Sequence, residues 1–335
     1  MVAYTHYRTD ARPRRTAETL AARGDHVHFL DLAEDEAPHT DTINGVQLES
    51  LDIKRYRGSG KLNYLRSYLG FIRKAFGRIN SMHLNERFDI IYLHTMPDFI
   101  VFASTFAKMV GARVVLDVHD TMPELYQSKF GIDDKHLLIR ALKFQEKLSC
   151  RFADHVICVH EPHRKLLESR NSVNGETSVL MNLPDPAIFG TPVTETIPID
   201  EHAPRLVYHG TIAHRLGLDL ALHAFVEVKQ TYPHARFDIY GTGDAASDIQ
   251  TLIRELNLDE SVSFSNSFFP VQEIPAMLAG ASVGIIPNRQ DPATELMLPV
   301  KLLEYLYCGI AVVAPKLDAI EHYFPEDSIA YYSPG

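Results

Sequence analysis

Two charged side chains three residues apart mark the segment Leu298-Pro-Val-Lys-Leu-Leu-Glu-Tyr-Leu-Tyr-Cys-Gly309. Proline favours the first turn of a helix and glycine the position after its last turn, so a short helix is predicted between them. Lys301 and Glu304 then lie on one face of that helix. No Ser, Thr, Asp or Asn directly precedes Pro299, so the first backbone N–H groups, next to Leu298, are free to bind a phosphate. The alternative is a surface ion pair on a packing helix.

A second segment that suits anion binding is Tyr208-His-Gly-Thr-Ile-Ala-His-Arg-Leu-Gly-Leu-Asp219, a strand that runs into a glycine-containing loop. Gly210, followed by Thr211, lets the backbone approach a ligand closely. Arg215 could place its forked guanidinium on a diphosphate. The alternative for this arginine is a solvated surface charge.

Tyr240-Gly-Thr-Gly-Asp-Ala-Ala246 has the form G-x-G-x-x-A between a predicted strand and a predicted helix, a weak dinucleotide-binding pattern that involves Gly241 and Gly243. The acidic residue expected about 20 residues further on is missing, because that region contains Phe264-Ser-Asn-Ser. A nicotinamide oxidoreductase therefore stays an alternative with little support.

His119 follows the apolar run Val114–Val118 and precedes Asp120. A histidine at the end of a buried strand can hydrogen-bond a sugar hydroxyl or share a proton. The alternative is that His119 caps the turn that follows it.

Short apolar runs alternate with amphipathic stretches along the whole chain, which predicts an α/β fold with parallel sheets. Five prolines interrupt residues 182–204, so we predict a first doubly wound domain over 1–183, a linker over 184–204 and a second domain over 205–335. Two such domains are expected to leave a cleft at the carboxyl ends of their strands. The sequence ends just after a strand, so closing helices of the second domain are expected to be absent.

Composition excludes several classes of protein. The 335 residues carry 33 Lys and Arg against 43 Asp and Glu, a net charge of −10, which argues against nucleic acid as a partner. Three cysteines without a C-x-x-C pair argue against a disulfide framework or a zinc ribbon and fit the cytoplasm. No metal is required by any cluster of residues. No window is long and apolar enough to cross a membrane.

Residues 54–87 contain nine Lys and Arg against one Glu, a local charge of +8 that leaves −18 for the rest of the chain. Leucine, isoleucine and aromatic residues recur in this segment at helical spacing. The segment therefore predicts a cationic amphipathic helix that binds an anionic membrane surface. The alternative is a helix that packs on the core while its charges bind an anionic acceptor.

Several of these motifs occur in an order that resembles glycosyltransferase family 4. They are D-x-R-x-R-R-x-A-E-x-L-A-x-R-G at 10–24, H-D-x-x-P-E at 119–124, N-x-P-D at 182–185, H-G-T at 209–211 and P-x-K-x-x-E-Y at 299–305. The resemblance covers essentially the whole chain, and the last motif is its most specific part. It implies a retaining, metal-independent glycosyltransferase of GT-B architecture, whose first domain serves the acceptor and whose second binds the nucleotide sugar.

The resemblance also implies roles for individual residues. Glu304 matches the acidic residue that binds the ribose diol, and Arg215 stands close to the basic contact to the diphosphate, although Leu216 occupies the second basic position. The family's other glutamate corresponds to Leu296, so Glu295, one residue away, or the backbone near Leu298 is expected to contact the sugar instead.

The resemblance implies front-face attack by the acceptor hydroxyl, with Arg215, Lys301 and a helix N-terminus stabilising the departing diphosphate. No cofactor is needed beyond the donor, and the expected acceptor is a glycan or a lipid-linked sugar in surface polysaccharide or glycolipid synthesis. The departures from the family pattern leave a non-catalytic nucleotide-sugar-binding protein as the other alternative.

Overall fold

The computed structural model describes residues 1–33, 40–53, 61–195, 200 and 202–334. The chain forms two compact units, Met1–Met181 and Asn182–Gly335. Each unit is built on one sheet whose helices follow the α/β pattern that the sequence predicts. No helix among the described residues has the length and apolarity that a membrane crossing demands.

The first unit contains an eight-stranded sheet with the order β3-β4-β2-β1-β5-β6-β7-β8. All neighbouring strands are parallel except β3 and β4. The strands are β1 (Val2–Ala3), β2 (Val27–Leu32), β3 (Thr40–Ile43), β4 (Val46–Leu51), β5 (Ile90–His94), β6 (Arg113–Val118), β7 (His155–Cys158) and β8 (Glu176–Val179). The helices are α1 (Ala11–Arg23), α2 (Lys61–Asn85), α3 (Thr105–Met109), α4 (Met122–Phe130), α5 (Leu137–Phe152) and α6 (Glu161–Arg170).

Local signals explain where α1 begins and ends. The carboxylate of Asp10 accepts a hydrogen bond from the backbone N–H of Arg12, and Gly24 follows the helix with a φ of +103°. These are the side-chain cap and the left-handed glycine that terminate helices. Before α3, residues Asp98–Ser104 form a 3-10 helix that continues directly into it.

The hairpin of β3 and β4 was not predicted, although its signal is present in the sequence. Asn44 and Gly45 both have positive φ, 48° and 82°, between Ile43 and Val46, which pair in antiparallel register. Asn-Gly is the dipeptide that such a two-residue turn favours.

The second unit has a six-stranded, fully parallel sheet with the order β11-β10-β9-β12-β13-β14. Its strands are β9 (Arg205–His209), β10 (Arg236–Tyr240), β11 (Val262–Ser265), β12 (Val283–Ile285), β13 (Ala311–Pro315) and β14 (Ala330–Tyr332). Its helices are α7 (Pro186–Phe189), α8 (Leu218–Thr231), α9 (Ala246–Glu255), α10 (Ile274–Leu278), α11 (Val300–Tyr307) and α12 (Asp318–Tyr323). Because the chain proceeds outward from β9 in both directions, the switch point between β9 and β12 is where such folds bind ligands.

The proline-rich segment predicted as a linker contributes α7 to the second unit. Asp185 caps that helix by accepting a hydrogen bond from the N–H of Ala187. The hydroxyl of Tyr307, at the end of α11, donates to the carbonyl of Gly190 at 2.7 Å. Part of this segment therefore packs against α11, while residues 196–199 and 201 lie outside the described residues.

Candidate functional site

The helix α11 runs from Val300 to Tyr307, close to the predicted bounds, and begins after β12 at the switch point of the second sheet. Pro299 occupies the cap position, and no side chain caps the first turn. Gly309 has a φ of +73°, as expected of the residue that ends a helix. Leu302 and Tyr305 are fully buried in the core, so the face that carries Lys301 and Glu304 is directed towards β9.

Glu304 is held by the histidine that ends β9. Its Oε2 lies 2.7 Å from Nε2 of His209, and both side chains are less than a tenth exposed. The hydroxyl of Tyr305 lies 3.2 Å from both the backbone nitrogen and Nδ1 of His209. That hydroxyl accepts the backbone N–H of His209, so it can donate its own proton to Nδ1. The ring proton of His209 is therefore on Nε2, which donates it to Glu304.

The same contacts set the charges in this group. Burial lowers the pKa of His209, against the opposing influence of Glu304, so the imidazole is neutral at pH 7. Burial also raises the pKa of Tyr305 well above its usual value. Glu304 therefore receives a hydrogen bond from a neutral histidine. Its other oxygen, Oε1, has no hydrogen bond within the described part of the chain.

Lys301 lies one turn before Glu304 and is a buried cation. Its Nζ sits 3.5 Å from the centroid of the Tyr208 ring, a cation–π contact, and has no hydrogen-bond partner among the described residues. Burial lowers the pKa of Lys301 to about 7, opposed by Glu304. An ammonium group in this position gains most from a ligand that carries negative charge.

Arg215 supplies a second cation near the same tyrosine. It lies in the 3-10 helix His214–Leu216, and its carbonyl accepts a hydrogen bond from the N–H of Arg289 at 3.0 Å. Arg289 in turn pairs with Asp219 on α8 at 2.6 Å, which fixes this loop. The Nε of Arg215 is buried without a partner in the described ranges, and its charge opposes the burial that raises the pKa of Tyr208.

The glycines of the two loops after β9 and β10 serve a close backbone approach. Gly210 has a φ of +112° and donates from its N–H to the carbonyl of Tyr240. A Cβ on Gly241 would lie 1.8 Å from the carbonyl oxygen of Gly210, and one on Gly243 would lie 2.1 Å from that of Ile212. Packing of the two loops thus explains the G-x-G pattern without a dinucleotide.

The remaining predicted residues of the second unit have other surroundings. Glu295 accepts hydrogen bonds from the side chain of Gln290 at 2.5 Å and from the N–H of Asp318, the first residue of α12, at 3.1 Å. Its carboxylate therefore caps a helix. Thr211 is exposed and its carbonyl accepts from the hydroxyl of Tyr208, while Leu298 is half-buried just before α11.

In the first unit, His119 belongs to a buried cluster at the carboxyl ends of β5 and β6. Its Nε2 lies 3.1 Å from Nδ1 of His94, which lies 3.2 Å from Oδ2 of Asp117. Tyr92 donates to the same carboxylate oxygen at 2.9 Å. The side chain of His119 thus contacts His94, whereas the alternative was a cap on the following turn.

Hydrogen-bond geometry assigns the protons of this cluster. Nδ1 of His94 is assigned a proton because it lies 3.2 Å from the carboxylate of Asp117. Nε2 of His119 is then the acceptor from His94, and its Nδ1 carries the proton. Nδ1 of His119 is buried and has no partner among the residues described. Burial lowers the pKa of His119 to about 4 against the opposing charge of Asp117. The ligand atoms of His94, Asp117 and His119 lie within 4.8 Å of one another, a set that could also hold a metal ion.

The glutamate of the H-D-x-x-P-E motif has a structural partner. Arg170 on α6 donates hydrogen bonds to both oxygens of Glu124, and the longer of the two is 3.1 Å. It also donates to both oxygens of Glu146 on α5. Glu124 and Glu146 are buried. The motif therefore joins a site residue, His119, to a salt-bridge network that fixes α4, α5 and α6.

The structure brings Lys301 close to Glu304, to Gly210 and, around the ring of Tyr208, to Arg215. Four side chains that position these residues or His119 were not predicted from the sequence. Tyr208 and His209 end β9, and His94 and Asp117 lie at the ends of β5 and β6. The available signal was their place at the carboxyl ends of apolar strands, where parallel sheets bind ligands.

Both parts of the chain match known protein families. Residues 10–182 match the family described as "Glycosyl transferase 4-like domain", and residues 203–328 match "Glycosyl transferases group 1". The chain is 23% identical over 295 residues to one of the subunits of human phosphatidylinositol N-acetylglucosaminyltransferase, covering 87% of this chain and 56% of that relative. It is 20% identical to chitobiosyldiphosphodolichol beta-mannosyltransferase of Candida albicans, covering 88% and 68%. The chain thus spans about half the length of the human relative.

Solved structures share the fold. Sucrose-phosphate synthase from Thermosynechococcus elongatus aligns with a TM-score of 0.76 at 16% identity, covering 99% of this chain and 85% of that one. WaaG, a glycosyltransferase involved in lipopolysaccharide biosynthesis, aligns with a TM-score of 0.64 at 14% identity, covering 99% and 86%.

Proposed function

The chain belongs to the glycosyltransferase 4-like family and has the GT-B fold class, and on that premise we propose that it transfers a sugar from a nucleotide diphosphate to a glycan or lipid-linked acceptor. The human relative is named for phosphatidylinositol and the Candida relative for a dolichol-linked sugar, and both names support an acceptor of this kind. Surface polysaccharide or glycolipid synthesis is the proposed setting, and a colanic acid glycosyltransferase of Escherichia coli, 27% identical over 37% of this chain, supports it.

One observation carries the proposal: two buried cationic groups near Tyr208, Lys301 Nζ and Arg215 Nε, lack hydrogen-bond partners within the described ranges. The buried carboxylate of Glu304 lies one turn after Lys301 on the same helix. A diphosphate would satisfy both cations, and the ribose diol would donate to the free oxygen of Glu304. The uncapped N-terminus of α11 adds a positive dipole end at the same place.

The chemistry that follows is cleavage of the bond between the anomeric carbon and the diphosphate oxygen. Charge develops on the leaving diphosphate, where Lys301 and Arg215 stabilise it. The acceptor hydroxyl attacks from the same face: its oxygen forms the new bond to the anomeric carbon and its proton passes to the departing diphosphate oxygen, so the anomeric configuration is retained. Retention and independence of metal ions are proposals that rest on the family resemblance.

His119 is proposed to donate its Nδ1–H to a sugar hydroxyl. The buried, unpartnered Nδ1 supports this role, because a ligand oxygen would satisfy it. The contacts of His94 and Asp117 would then hold the imidazole in the required tautomer.

The proposed function is tested with purified protein and a panel of uridine, guanosine and adenosine diphosphates and their sugar conjugates. A bound donor raises the thermal unfolding temperature by mass action, and the base that does so identifies the donor class. Release of nucleoside diphosphate in the presence of acceptor then demonstrates turnover, and NMR of the product gives its anomeric configuration. Binding without release would support the non-catalytic alternative, and loss of release in EDTA would contradict metal independence.

We further propose that the protein works in the cytoplasm and that residues 54–87 help it to bind a membrane surface. On α2, Leu65, Leu69 and Phe76 are 47%, 52% and 41% exposed, near the exposed Arg66 and Arg73.

Two basic side chains of this segment are already paired with acidic residues of the protein. Lys74 is bound to Asp52 and Arg78 to Glu49 at 2.6 Å, so neither is free to meet a lipid headgroup. Lys54, Arg55 and Arg57 lie outside the described residues, as does the side chain of Lys61.

A further inference from the structure

Helix α5 is apolar on two opposite sides. Ile139, Leu142 and Cys150 face the core, as expected of an amphipathic helix. On the other side, Leu137 is 77% exposed, Phe144 63% and Leu148 42%. Their spacing of seven and four residues aligns them in one stripe along the helix. Large apolar groups in such a row are typical of a surface that something else covers.

A row of cations runs beside this stripe. Arg140, Lys147 and Arg151 repeat the same spacing of seven and four residues, and all three are exposed. None of them forms an ion pair with another described residue. The one acidic residue of the helix, Glu146, is buried and bound to Arg170. The outer side of α5 therefore combines apolar and positive side chains without an exposed acid.

We propose that this outer side of α5, the stripe Leu137, Phe144 and Leu148 with the row Arg140, Lys147 and Arg151, binds the surface of an anionic lipid bilayer. The apolar side chains would enter the boundary between headgroups and acyl chains, and the cations would contact lipid phosphates. The inference rests on the membrane association proposed above and assigns it to an element that the charge pattern of the sequence did not reveal.

The position of α5 in the unit agrees with this assignment. Phe152 of α5 packs edge-on against Phe102 at 5.2 Å, and Tyr68 of α2 packs against Phe99 at 6.3 Å. Both partners belong to the 3-10 helix Asp98–Ser104, so α5 and α2 flank it in one layer of helices. The exposed sides of the two helices are parts of the outer surface of that layer.

The positive charge of this surface favours a bilayer as its partner over a second copy of this chain. A dimer through this surface would bring the cation rows of both copies to one interface, where no exposed acid of α5 offsets them, so like charges would repel. An anionic bilayer instead offers a continuous negative surface that matches any spacing of the cations.

The test is flotation of the full chain with vesicles of phosphatidylcholine containing about one-third phosphatidylglycerol, at low salt. Phe144→Ser is expected to reduce binding at least tenfold, because it removes one inserted ring. Phe268→Ser is the matched control, since Phe268 in the second unit is also 63% exposed, and it should float like the unmodified chain. Arg140→Gln, Lys147→Gln and Arg151→Gln combined should weaken binding about a hundredfold, from about 1 kcal/mol per basic residue.

The outcomes separate the possibilities. Binding that is unchanged in both α5 variants but lost in Leu65→Ser/Leu69→Ser would overturn the assignment to α5 and leave α2 as the membrane surface. Self-association of the unmodified chain that Phe144→Ser abolishes would identify a second copy as the occupant and overturn the proposal. Absence of all vesicle binding would overturn both membrane proposals, whereas sugar transfer is judged independently by release of nucleoside diphosphate in solution.

Discussion

Nε2 of His209 lies 2.7 Å from Oε2 of Glu304, although the two residues are 95 positions apart in the chain. The contact joins the end of β9 to the middle of α11 and holds the carboxylate of Glu304 in one orientation. With one oxygen held by the imidazole, the carboxylate keeps its orientation, and its second oxygen is left for a ligand. This arrangement supports the role of Glu304 as the ribose-binding residue.

Glu304→Gln should weaken donor binding about ten- to a hundredfold, because a hydrogen bond to a charged group contributes roughly 1.5–3 kcal/mol. The amide oxygen of the variant can still accept from His209, so the fold should be preserved. Isothermal titration with the donor measures the effect.

Glu295→Gln is the matched control. Its carboxylate caps α12, so the variant should lower the unfolding temperature and leave donor affinity unchanged. Equal losses of affinity in the two variants would contradict the role given to Glu304.

Tyr305→Phe tests the proton assignment on His209. The ring stays in the space that Gly284 leaves for it, where a Cβ would approach the ring to 2.2 Å, but the hydroxyl that donates to Nδ1 is lost. We expect the imidazole to populate both tautomers and donor affinity to fall several-fold. The ¹⁵N chemical shifts of His209 would report the mixture, and an unaltered Nε2–H tautomer would contradict the assignment.

Donor binding should depend on pH through Lys301. Its pKa of about 7 means that the free protein loses this cation as pH rises, whereas a diphosphate favours the protonated form. Affinity should therefore fall about tenfold per pH unit above 7, and binding at pH 8 should take up close to one proton. Titrations in buffers of different ionisation enthalpy measure that uptake.

Two variants check the origin of this pH dependence. Lys301→Arg should bind donor without proton uptake, because arginine stays charged. Lys301→Met should lose affinity at every pH. Proton uptake that persists in the arginine variant would show that another group titrates.

The sequence was sufficient to predict elements that local rules determine. Proline and glycine bounded α11 to within about one residue, and the apolar run Val114–Val118 lies within β6. Spacing within α11 also placed Lys301 and Glu304 on a common face. These features depend on residues that are close in the chain, so their chemistry can be recognised without coordinates.

Features that depend on distant contacts were not predicted. Helix α6 has only two buried residues, His163 and Leu167, so its apolar periodicity is weak, and the contact from Arg170 to Glu124 spans 46 positions. Likewise, the cap that Glu295 provides to α12 requires two loops to meet. Glu295 therefore looked like a free carboxylate in the sequence, and only packing shows that it is bound.

His163 should make the first unit sensitive to acid. Both of its ring nitrogens are buried without a partner among the described residues, and burial lowers its pKa to about 3. Between pH 6.5 and 3 the unfolded chain binds a proton that the folded chain does not, so the free energy of unfolding falls as pH falls, by about 1.4 kcal/mol per unit.

His163→Met should flatten this dependence in urea unfolding measured from pH 6.5 to 4.5. The control is His214→Met, whose side chain is 72% exposed in the parent and should leave the slope as it is. An identical slope in parent and His163→Met would mean that other groups dominate the acid response.

Arg170→Met should destabilise the first unit by about 3–5 kcal/mol, because it leaves Glu124 and Glu146 buried without their cation. Burial, reinforced by Glu146, raises the pKa of Asp98 well above its usual range, so an unpaired negative charge is disfavoured at this place. Arg164→Met on the same helix is the control, since its partners Glu161 and Glu168 lie at the surface and its loss should change stability little. Adding Glu124→Gln and Glu146→Gln to Arg170→Met should restore much of the stability measured by urea unfolding. A triple variant no more stable than the single one would show that Arg170 acts through packing, not through its charge.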